Sequence, residues 1–147
     1  MTGRRILIAL TLVVVVLGTA GPATASTRPQ RMRVRMLHLV NASRRAHGIA
    51  PLKLNWNLSQ YAWHHSREMS RSHSVYHTND TWAHVQPYGA SSWGENVGMS
   101  WALPVLERAF MASPPHRMNT LAARFHHVGI GVVCTHFRRW VTIDFYG

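Results

Sequence analysis

Val128-Gly129-Ile130-Gly131-Val132-Val133-Cys134 and, a few residues later, Trp140-Val141-Thr142-Ile143-Asp144-Phe145-Tyr146 decide how the chain is read. In the first segment Val128, Ile130, Val132 and Cys134 alternate with Gly129 and Gly131, the two-residue period of a strand. One face is apolar, and the other is stripped for close backbone approach. In the second segment Val141, Ile143 and Phe145 share a side. A turn through Phe137 and Arg138 joins the two as a hairpin.

Upstream of the hairpin the period changes. Met36, Leu39, Val40, Ser43 and His47 recur at helical spacing, and Gly48 stops that helix. Leu58, Tyr61, Ala62, His65 and Met69 form the stripe of a second amphipathic helix, with Asn57 as its cap and Gln60 closing a capping box. Residues 72–93 carry Asn79, Asp80, Pro87 and Gly89 and read as a long loop. Gly94-Glu95-Asn96-Val97-Gly98 opens a short extended stretch. Residues 103–111 read as a third helix. Ser113-Pro114-Pro115 starts a fourth, with Ser113 as N-cap. Helices first and a hairpin last give an α+β, or α/β/α layered, domain.

The chain has 147 residues, one domain's worth, and 46% of them are apolar, so it can fill a core. Its 16 Lys+Arg against 5 Asp+Glu give a net charge of +11, and there are 11 histidines. A single cysteine, Cys134, excludes an intrachain disulfide framework and a CxxC redox motif; its place on the apolar strand face reads as a core thiol. Residues 1–25 read as a secretory signal peptide: Arg4 and Arg5, an uncharged apolar run over 6–17, and Ala23-Thr24-Ala25 as the cleavage site. The run is too short to span a bilayer. Without Arg4 and Arg5, fourteen basic residues remain against five acidic, a net +9.

Three loop segments carry ionisable groups: Tyr76-His77-Thr78, Gly94-Glu95-Asn96, and Ser113-Pro114-Pro115-His116-Arg117-Met118-Asn119. In this order, with Leu39-Val40-Asn41, Arg44, His47-Gly48 and Val128-Gly129-Ile130-Gly131 around them, they resemble the SCP-like extracellular (CAP) domain. That family includes cysteine-rich secretory proteins, venom allergens and pathogenesis-related proteins, and this chain looks like a bacterial-type secreted member. The resemblance covers 36–147. It implies a three-layer α/β/α sandwich with a surface cleft holding two His and two Glu. His77, Glu95 and His116 fall on three of those positions, and Ser113 stands near the fourth. Phe110 replaces a usual Trp, and the eukaryotic disulfides are absent.

Two imidazoles beside a carboxylate suit a divalent cation such as zinc, and the resemblance implies the same metal-binding role for His77, Glu95 and His116. Three functions stay open. The cleft can bind a divalent cation or a small extracellular ligand, a lipid included. It can be a metal-dependent hydrolase at the cell envelope, with Glu95 as general base and His77 and His116 as catalytic partners; a Ser113-His116-Glu95 nucleophilic triad is a weaker variant. Or it is a scaffold for protein interactions, with Glu95 pinning the long loop. Asn96, Arg117 and Asn119 read as loop and cap hydrogen-bonders.

Residues 26–35 read as a basic flexible arm. Arg28, Arg31, Arg33 and Arg35, with Arg44 and Arg45 behind them, suit an anionic cell-envelope polymer. No nucleic-acid recognition motif is present. His73 and His77 have the spacing of a zinc half-site, and His65 lies on the inward-facing stripe of its helix.

Overall fold

The computed structural model describes residues 27–147, so the signal-peptide assignment over 1–25 lies outside the described residues. The chain runs α1 (Arg28–Ala46), β1 (Lys53–Leu54), α2 (Trp56–Ser72), α3 (Thr81–Val85), a 3-10 turn (Gln86–Tyr88), β2 (Trp93–Ser100), α4 (Leu103–Ala112), α5 (Pro114–Leu121), β3 (His127–Cys134) and β4 (Arg139–Tyr146). The sheet order is β1-β3-β4-β2. β3 and β4 form the expected hairpin, closed by a bond from Thr135 N–H to the Arg138 carbonyl at 3.0 Å. The short β1 runs parallel to β3, and β2 runs antiparallel to β4 along the other edge.

Alternation divides the sheet into two faces. Val128, Ile130, Val132, Val141, Ile143 and Phe145 pack into the main core with Met36 and Val40 of α1 and Leu103, Leu106 and Phe110 of α4. Trp140 and Tyr146 point the other way, onto Met69 and Leu58 of α2. Helices thus cover both faces, and the three-layer α/β/α sandwich stands. Half-buried Cys134 packs against the main core as a free thiol.

The glycines of β3 set how closely α2 lies on the sheet. A Cβ at Gly131 would fall 2.1 Å from the Ala62 carbonyl oxygen, and one at Gly129 would fall 2.4 Å from Leu58 Cγ. The stripped face predicted from the sequence is therefore the seat of α2.

Three local expectations change. Within the arm expected over 26–35, residues 28–35 are helix: α1 begins at Arg28, Pro29 suits its first turn, and Thr27 closes a capping box with Gln30. Arg33, far from trailing in solvent, is buried and donates to the carbonyls of Ile130 at 2.8 Å and Ser59 at 3.2 Å. Arg44 is buried too, bonded to the carbonyls of Ala50, Thr120, Ala122 and Phe125. Two of the six arginines assigned to a polymer-binding arm instead tie the fold together. The second helix starts two residues early, because Asn55 Oδ1 accepts the Leu58 N–H at 3.0 Å in place of an Asn57 cap. The long loop over 72–93 holds α3 and the 3-10 turn, anchored by fully buried Val85 against Leu58 and Tyr146. Five residues are too few to display a helical period.

Candidate functional site

Glu95 lies on edge strand β2, in register with Asp144 of β4. Its side chain is 5% exposed, and donors meet it from the loop after α2. His77 Nδ1 lies 2.5 Å from Oε2. The Thr78 hydroxyl donates to Oε1 at 2.9 Å, and the Thr78 N–H reaches Oε2 at 3.2 Å. Thr81 joins through a hydroxyl contact with Thr78. A buried carboxylate needs several donors to replace its lost hydration, and here one loop supplies them. Glu95 thus pins residues 77–78 to the sheet edge. The His77 ring, held at Nδ1, keeps its side chain 61% exposed.

His116 approaches from α5, on the other side of the same edge. Asn96 Nδ2 donates to the His116 carbonyl at 3.0 Å and to Thr120 Oγ1 at 3.2 Å. Asn119 Nδ2 donates to the Glu95 carbonyl and the Asn96 side chain, each at 3.0 Å. These amides strap α5 onto β2, the hydrogen-bonding role expected of Asn96 and Asn119. Arg117 contacts His47 at 3.0 Å. The His116 ring lies 5.0 Å from the Phe110 ring, and its Nδ1 meets Ser113 Oγ at 2.8 Å. Ser113 is the N-cap by position, but its hydroxyl serves His116 rather than the helix backbone. Burial, and then the nearby His77, hold the His116 pKa below the usual histidine range.

The three motif residues therefore meet at the β2 edge, but not as a closed set. Ser113 and His116 have the spacing of a nucleophile and its base, yet Glu95 engages His77 instead, so the nucleophilic triad is not assembled. Among the described residues, no three His, Cys, Asp or Glu side chains form a ready metal cluster. Imidazole is the ligand type that a borderline divalent cation takes. Each ring is oriented at Nδ1 by an oxygen, the usual support for a metal-binding histidine, and Nε2 of neither ring is bonded among the described residues. In that arrangement Glu95 is the orienting carboxylate and not a ligand.

A cavity of about 430 Å³ opens beside His77, with Tyr61, His64, Glu68 and Asp80 in its wall. Glu68 and Asp80 are the exposed acidic side chains among the described residues, since Glu95, Glu107 and Asp144 are buried. Asp80 takes the Tyr61 hydroxyl at 2.5 Å and lies 3.3 Å from His84. Burial and the Asp80 bond push the Tyr61 pKa above the usual phenol range, so its phenol stays protonated. His65 is satisfied by the Tyr76 carbonyl at 2.8 Å. His73 is the left-handed C-cap of α2 and lies in a different depression, so the His73–His77 spacing builds no half-site.

Sequence reasoning missed Asp144. It is fully buried beside Glu95, and neither of its carboxylate oxygens has a hydrogen-bond partner among the described residues. Burial first, then Glu95 and Asp80, raise its pKa well above the carboxylate range. The signal was available: Asp144 alternates with Trp140, Thr142 and Tyr146 on the face that Gly129 and Gly131 open to α2.

A sandwich with this sheet order and a His-Glu-His edge site defines a recognisable class. The profile described as the Cysteine-rich secretory protein family (CAP) matches residues 37–145, and the chain belongs to that family. It is 29% identical to YkwD of Bacillus subtilis over 122 residues, covering 78% of this chain and 46% of that protein. An extracellular SCP-domain protein of Bacillus anthracis superposes with a TM-score of 0.64 at 21% identity, over 80% of this chain and 41% of that one. An outer surface protein of Borrelia burgdorferi gives 0.68 at 14% identity, over 78% of this chain and 90% of that one. The chain spans less than half the length of the two Bacillus proteins.

Proposed function

We propose that the chain is an extracellular binding protein whose β2-edge cleft takes a divalent cation, zinc being the natural probe, through His77 and His116. The observation that supports this is the pairing at Nδ1, His77 with Glu95 and His116 with Ser113, which leaves both Nε2 atoms without a hydrogen bond among the described residues. The lowered pKa of His116 keeps its ring neutral, the form that binds metal. Solvent or a small polar ligand from the adjoining cavity completes the coordination. The imidazole and carboxylate lining of that cavity suits polar groups better than an acyl chain.

This arrangement favours binding over hydrolysis. Glu95 is buried under three donor groups and is not poised as a general base. Isothermal titration with zinc at neutral pH tests the reading. One equivalent should bind, His77→Ala or His116→Ala should abolish it, and Glu95→Gln should weaken it about tenfold by loosening the His77 ring. Unchanged zinc binding in both alanine variants overturns it.

A further inference from the structure

α2 has a second flank with different chemistry. Trp56, Gln60, Trp63 and Arg67 follow one another at helical spacing, to one side of the buried stripe. The N-terminal part of α1 lies alongside, and together they form a groove of about 310 Å³. Arg33 forms part of its wall, with its guanidinium 5.4 Å from the Trp56 ring centre. Arg67 stands 5.4 Å from the Trp63 ring centre. Trp56 is 51% exposed, a large aromatic face left open to solvent. The side chains of Asn57 and Gln60 lie exposed in the same wall, without hydrogen bonds among the described residues.

Arg33 supplies the charge of the groove. The residue is 4% exposed, two backbone carbonyls receive its Nε and Nη2 protons, and Nη1, without a hydrogen bond among the described residues, is not sealed from solvent. None of the chain's five carboxylates lines the groove. A buried guanidinium without a counter-charge carries a desolvation penalty, and burial accordingly lowers its pKa. An anion in the groove would relieve that penalty. α2, 17 residues long, also presents its N-terminal turn there, the positive end of the helix dipole.

We propose that this groove binds an acidic saccharide. A sugar ring stacks on the open face of Trp56, Asn57 and Gln60 take its hydroxyls, and its carboxylate or phosphate groups meet Arg33 and Arg67. Aromatic faces select flat, CH-bearing rings, amide pairs match vicinal hydroxyls, and guanidinium forks match oxyanions. The combination distinguishes this groove from the general positive field of the chain, which attracts any polyanion.

Titration calorimetry with oligogalacturonate, maltoheptaose and inorganic polyphosphate separates these effects. Oligogalacturonate should bind, and the neutral glucan should bind about tenfold more weakly or not at all. Trp56→Ala and Gln60→Ala change exposed, uncharged side chains and should each weaken oligogalacturonate about tenfold. Arg138→Gln, which removes a charge elsewhere, should leave it within about twofold. Polyphosphate supplies charge without a ring and should be indifferent to Trp56→Ala. Oligogalacturonate binding that survives both Trp56→Ala and Gln60→Ala, or that falls equally with Arg138→Gln, assigns the effect to bulk charge and overturns the proposal.

Discussion

The two flanks of α2 are opposites built on one helix. On the Tyr61, His64 and Glu68 side, the buried charge is an anion, Glu95, and the groups left over are imidazoles and exposed carboxylates. On the Trp56, Gln60 and Trp63 side, the buried charge is a cation, Arg33, and what remains is aromatic surface and unpaired positive charge. Glu95 is fully supplied with donors, whereas Arg33 receives two carbonyls and no carboxylate. Each side therefore takes a different ligand. A satisfied anion orients neighbouring ligands, while an uncompensated cation is itself a binding determinant.

The largest effect should come from a change that breaks both flanks together. Gly131→Ala forces a methyl into the Ala62 carbonyl, and α2 must lift off the sheet. Overpacking of this kind should cost about 3 kcal/mol, to be read by urea unfolding. Binding of zinc and of acidic saccharide should then weaken in parallel.

A smaller effect sharpens the comparison. His77→Ala and Trp56→Ala share no described contact, so each should remove its own ligand and leave the other's affinity within about twofold. Calorimetry on the single and double variants checks this, and strong coupling would merge the flanks into one site.

The smallest effect concerns Asp144, beneath Glu95. Its folded pKa is raised, so the folded state holds a proton that the unfolded chain releases above the ordinary carboxylate range. The stabilisation is therefore full below the unfolded pKa of about 4 and is lost as pH rises toward the folded value. Asp144→Asn removes that dependence. The variant should gain thermal stability relative to the parent as pH goes from 4 to 8; a gap that stays constant or shrinks would contradict the assignment.

Much of this was legible in the chain. The alternation through Val128–Cys134 and Trp140–Tyr146 is local, as is the glycine pair that seats α2, so hairpin and layering follow from period and side-chain size. His77, Glu95 and His116 were visible as ionisable groups in three loops, and the structure brings them to one strand edge. Their pairing was not legible. Which imidazole Glu95 engages depends on the face of β2 it occupies, a fact of register and not of spacing. Arg33 was misread for a related reason. A run of arginines looks like a solvated arm until the partner carbonyls, 26 and 97 residues away in sequence, are in place. The Trp56 groove likewise needs α1 laid against α2.

The central claim is that Glu95 and Ser113 orient two imidazoles whose Nε2 atoms are the ligands. Long-range proton–nitrogen NMR of the histidine rings, recorded while zinc is added at neutral pH, tests it most directly. Nε2 of His77 and His116 should shift together and saturate at one equivalent, with their Nδ1 signals keeping the protonated form. Zinc shifts at Nδ1 of either ring, or none at His77 and His116 while other histidines respond, would contradict the account.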